Sequence, residues 1–101
     1  MCTLPAAERP PRLAEFDAFV AGAVIGLERP ARDRLRLAPT PGPEVAGRAA
    51  APAMKESRCC SFFTFTLTAA GGALHLEIAV PERHRDVLDG LAARFAAAGP
   101  S

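Results

Sequence analysis

A chain of 101 residues supports one core and not two, since a globule of this size buries only roughly 60–70% of its unfolded surface, so residues 1–101 are read as a single domain. Twelve basic residues against eleven acidic ones leave a net charge of +1, too little for an electrostatic case for nucleic acid or an anionic membrane. The longest apolar stretch, residues 18–27, holds two glycines and is only about half the ~20 residues that cross a bilayer, which leaves no membrane partner to expect.

Glu8, Arg9, Pro10, Pro11 and Arg12 break the layout of a secretory signal early, so a cytoplasmic location is expected. Three cysteines, an odd number, argue for reduced thiols there and against a disulfide framework. The chain has six Phe and neither Trp nor Tyr, so the core must rest on those Phe together with Leu, Val and Ile.

In chain order, Leu13, Phe16, Val20, Ala23, Val24 and Leu27 recur at helical spacing, which predicts a first helix over 11–27 closed by Pro30. Residues 33–37 alternate with period two, a short strand with Leu35 and Leu37 inward. After the loop of Pro39, Pro41, Gly42 and Pro43, a second helix is predicted over 43–58, with Pro43 at its first position and Glu44 at the positive end of its dipole. Its inner face would use Val45, Ala49, Ala53 and Met54, and Pro52 predicts a kink or a restart near Ala51.

Two strands, 61–68 and 73–80, follow as a hairpin turning through Ala70, Gly71 and Gly72. With Ala69 facing Gly72, Phe63, Phe65 and Leu67 would lie opposite Ile78, Leu76 and Leu74. The other face would carry Phe62, Thr64 and Thr66 against Ala79, Glu77 and His75, the alternation of a sheet covered on one side. A last helix opens at Pro81, buries Leu88, Leu91 and Phe95, and stops at Gly99. The expected fold is therefore α+β: a two-layer sandwich in the order α-β-α-β-β-α, with a three-stranded, mainly antiparallel sheet and helices on one face. A right-handed crossover would set the first strand parallel to the second, with the third between them or at the edge.

The adjacent Cys59 and Cys60 are the chemically pointed feature. Neighbouring side chains of an extended strand point to opposite faces, so the two sulfurs converge on one ligand only at a bend, and the junction of the second helix with the hairpin is such a bend. Paired thiolates suit soft ions: Zn(II), Cu(I) and, by the same softness, Hg(II) or As(III). Arg58 beside them favours the thiolate form. The other reading is that both are small buried hydrophobes.

Further ligands follow from the register. His75 falls near the hairpin turn, about 20 Å along the sheet from Cys60, too far to share a site in one subunit. Cys60 instead runs toward Pro81, with His84 one turn beyond, so His84 is the better partner, unless it only flanks the stripe of Leu88. Cys2, on a proline-bounded terminal segment, is a third candidate thiol. Arg34, Arg36 and Glu77 fall on the open sheet face, where cross-strand pairing is the ordinary explanation and a partner surface including Phe62 the other. No phosphate loop, Cys-x-x-Cys or catalytic triad order is present in the sequence.

The block Cys59, Cys60, Ser61, Phe62, Phe63, Thr64, Phe65, with the hairpin that follows it, resembles a group of small, mostly uncharacterised bacterial proteins, commonest in actinobacteria. They share an acidic-Cys-Cys-x-Phe-x-x-Phe block before a β-hairpin. Cys2, Thr3, Leu4 and Pro5 and residues 12–17 look similar too, although Arg58 stands where an acidic residue is usual and Pro52 interrupts the preceding helix. Related blocks occur near heavy-metal resistance regulators, so the resemblance implies a metal or metalloid context.

Three functions compete. The first is non-catalytic binding of a soft metal or metalloid through Cys59 and Cys60, assisted by Cys2 or His84, in resistance or sensing. The second is an interaction module that forms a homodimer through the open sheet face, with structural cysteines and no metal. The third, a thiol-redox enzyme, lacks the two-residue spacer that lets one thiol attack and the other resolve.

Overall fold

A computed structural model describes residues 9–59 and 61–99, with side chains over 14–58 and 61–99. Its elements are α1 (Arg9–Ala23), β1 (Val24–Ala31), β2 (Arg34–Pro39), α2 (Pro43–Cys59), β3 (Thr64–Ala70), β4 (Ala73–Ala79), a 3-10 turn (Glu82–His84) and α3 (Arg85–Ala98). The fold is α+β, with three helices and a four-stranded antiparallel sheet in the order β1-β2-β4-β3. Among the described residues, no helix is long and apolar enough to cross a membrane.

The fourth strand corrects the expected three. The first helix ends at Ala23 rather than Leu27, and the chain turns at once into β1, which pairs with the outer edge of β2. Val24 and Ile25 are β-branched and Gly26 is a poor helix former, so the helix loses little by stopping there. A Cβ on Gly26 would lie 3.2 Å from that of Ala38, so glycine lets the two strands approach. The buried stripe of α1 is Phe16, Phe19, Val20 and Ala23; Phe19 joins the expected positions, and Leu13 lies outside the described side chains.

β2 and β3 are each antiparallel to β4, which lies between them, so they run parallel to one another. Leu35, Leu37, Leu74, Leu76 and Ile78 are buried on the sheet face that the helices cover. Arg34, Thr64, Thr66, Thr68 and His75 are exposed on the other.

The hairpin register differs from expectation by two residues. Phe65 faces Ile78, Leu67 faces Leu76 and Ala69 faces Leu74, because the loop is Gly71 and Gly72 alone, at φ 57° and 80°. Two positive φ values in succession define the type I′ turn, whose twist matches that of the strands it joins. A slip of two leaves every side chain on its predicted face.

α2 runs unbroken through Pro52, which is buried. With Ala49, Pro52 and Ala53 facing inward, Met54 lies ~100° further around the helix and is 60% exposed, not part of the core face. α3 buries Leu88 and Phe95 with Leu91 partly buried, and is capped by Gly99, whose N–H donates to the Phe95 carbonyl at 2.9 Å.

Candidate functional site

α2 ends at Cys59 and β3 begins at Thr64, and the described residues between them are Ser61, Phe62 and Phe63. Cys2 and Cys60 lie outside the described residues, as does the side chain of Cys59. Ser61 is exposed, Phe62 half-buried and Phe63 buried, and β3 starts three residues later than the expected 61.

Phe62 is therefore not an exposed aromatic on the open face. Its ring lies 4.7 Å from that of Phe63, and on the other side the imidazole of His84 stacks on it at 4.3 Å, with 23° between the planes. Phe63 continues to Phe65 at 5.6 Å, Phe65 to Phe16 at 6.0 Å, and Phe16 to Phe95 at 6.0 Å. His84 thus forms the exposed end of an aromatic row that runs into the core. Offset ring pairs of this kind add about 0.5–1.5 kcal/mol beyond their buried area, which favours this orientation of the half-buried imidazole.

The backbone places His84 for that contact. The Val80 N–H donates to the Asp33 carbonyl at 3.0 Å, holding the end of β4, and the His84 N–H donates to the Pro81 carbonyl at 2.8 Å, closing the 3-10 turn. Ser61, Phe62, Thr64, Ala79, Val80, Pro81, Arg83 and His84 line an open recess of about 460 Å³. His84 therefore lies at the end of the sheet where β4 finishes and β3 begins. His75 pairs with Thr68 near the hairpin turn at the other end and is exposed.

The open face is occupied by charge pairing. Arg36 lies 3.4 Å from Glu77 on β4 and 3.7 Å from Glu28 on β1, both cross-strand neighbours. Among the described residues, no group of three or more His, Cys, Asp or Glu side chains is arranged to hold a metal ion.

The His84–Phe62 stack is the contact that sequence reading missed. The expected register sets Phe62 opposite Ala79 on the open face, whereas the observed pairing begins only at Thr64 opposite Ala79, which leaves Phe62 outside the strand and free to meet His84. Compared with models of known protein families, with curated proteins and with solved structures, the chain matches none.

Proposed function

We propose that this protein is a non-catalytic binder of a soft metal or metalloid ion, held by the thiolates of Cys59 and Cys60 with His84 as a further ligand and Cys2 as an alternative third thiol. One observation carries the reading: the stack of His84 on Phe62 at 4.3 Å. Phe62 follows Cys60 by two residues, so their Cα atoms lie at most roughly 7 Å apart. The imidazole is therefore held against a residue two positions from Cys60 in the sequence, by packing that does not depend on a metal. Two thiolates and an imidazole suit Zn(II) and Cu(I), and the thiolates alone suit Hg(II) or As(III).

The resemblance of the cysteine block to proteins encoded near heavy-metal resistance regulators points the same way, and a reducing compartment such as the cytoplasm would keep the thiols available. The test is titration of the reduced, metal-free protein with Zn(II), Cu(I), Hg(II) and As(III). One ion per chain is expected, with binding lost in the Cys59→Ser, Cys60→Ser double variant. His84→Ala should weaken Zn(II) by at least about tenfold, the equivalent of roughly 1.4 kcal/mol. Absence of stoichiometric binding, or binding unchanged in the double variant, refutes the proposal.

A further inference from the structure

The two edges of the sheet are built differently. β1 carries register shifts between Val24 and Gly26 and again between Glu28 and Ala31, contains Pro30, and exposes Glu28 and Arg29. Irregular pairing, proline and charge are the devices that stop an edge strand from accepting another. β3 has none of them. Its seven residues, Thr64, Phe65, Thr66, Leu67, Thr68, Ala69 and Ala70, are uncharged and free of proline, pair with β4 without a register shift, and are exposed except for the partly buried Phe65.

The type I′ turn fixes which backbone groups of β3 are unpaired among the described residues. Ala70 and Ala73 flank the two-residue loop and form a hydrogen-bonded pair, so Thr68, Thr66 and Thr64 also direct N–H and C=O toward β4. The groups of Phe65, Leu67 and Ala69 point outward. β4 agrees with this alternation: Leu76 and Ile78 pair with Leu37 and Leu35 of β2, and the Val80 N–H reaches the Asp33 carbonyl.

We propose that β3 pairs antiparallel with β3 of a second copy of this chain, about a two-fold axis through Leu67, joining two sheets into one of eight strands. A second copy is the occupant because β3 is compatible with its own reverse. Around Leu67, Phe65 meets the small Ala69, Thr66 meets Thr68 and Thr64 meets Ala70, so no pair sets like charges opposite. The pairs made by residues 65, 67 and 69 are the hydrogen-bonded ones, and they use the outward groups of both strands. On the helix side Leu67, 37% exposed, is covered by its own symmetry mate. On the open face the threonines form the cross-strand hydroxyl pairs that favour such ladders.

Seven residues a side is well below the roughly 20–30 of a standard interface, so the dimer is weak, with a dissociation constant on the order of 100 µM. Sedimentation of the reduced, chelator-treated protein from about 10 µM to about 1 mM spans that range and should show a reversible shift from monomer to dimer. Leu67→Lys, which sets two charges face to face on the axis, should weaken association at least about tenfold. Ile25→Lys, at the protected edge, should leave it unchanged.

Amide exchange in the unsubstituted protein reads the same interface without relying on a variant. The N–H groups of Phe65, Leu67 and Ala69 should exchange fast in dilute solution and slow at high concentration, while those of Thr64, Thr66 and Thr68 stay slow throughout. A monomer across the whole range, or a dimer in which residues 65, 67 and 69 gain no protection, overturns the proposal.

Discussion

The hairpin turns on two residues with different tolerances. Gly71 and Gly72 both hold positive φ, 57° and 80°, and a Cβ at either would meet no atom within 4 Å. The cost of a side chain there is backbone strain and not collision. Asn accepts the first position of a type I′ turn and also restricts the unfolded chain, so Gly71→Asn should change stability by less than about 1 kcal/mol. Gly72→Val places a β-branched residue in the left-handed region and should cost about 1–2 kcal/mol. Urea unfolding of the two variants checks the contrast, and equal losses would contradict the assigned turn.

Between elements, the contact of α1 with α3 separates packing from charge. Arg94 reaches both oxygens of Asp17 with bonds of 2.7–3.0 Å, but the Arg94 side chain is 44% exposed. Phe95, beside it, is 1% exposed and packs on Phe16. A half-exposed ion pair contributes up to about 1 kcal/mol, whereas truncating a buried phenylalanine costs about 3–5 kcal/mol. Thermal unfolding should therefore show a large loss for Phe95→Ala and a small one for Arg94→Ala; comparable losses would mean that the pair, not the aromatic row, holds α3 in place.

The helices and the hairpin were legible because their periodicity reports burial directly: Leu35 and Leu37 inward, Leu88 and Phe95 inward, threonines outward. β1 was not, because Val20, Ala23, Val24 and Leu27 satisfy a helical period, and a short apolar run does not distinguish helix from strand. What decides it is tertiary: β2 has an outer edge that β1 fills. Met54 was misassigned for a related reason. Proline was treated as a break in α2, although Pro52, buried in an unbroken helix, takes the inner position.

For the molecule as a whole, the described part of the candidate site is the stack of His84 on Phe62, while Cys2, Cys60 and the Cys59 side chain lie outside the described residues. The cysteine pair stands out as a sequence feature, and strand register led from Cys60 to Pro81 and on to His84. The two-residue difference in that register leaves every paired residue of the hairpin on its expected face, because an even slip preserves faces, and moves the opposed positions by about 7 Å. The aromatic row from His84 through Phe62 into the core depends on the chain leaving the strand path before Thr64, which alternation does not encode. The proposed function joins a core-anchored imidazole, stacked on Phe62, to two thiols that precede Phe62 by two and three residues in the sequence.

X-ray absorption of the reduced protein loaded with one equivalent of Zn(II) tests that junction most directly. The account predicts a sulfur shell at about 2.3 Å and an imidazole nitrogen at about 2.0 Å, the latter absent in His84→Ala. A spectrum with only oxygen and nitrogen neighbours, or an imidazole that survives His84→Ala, would contradict it.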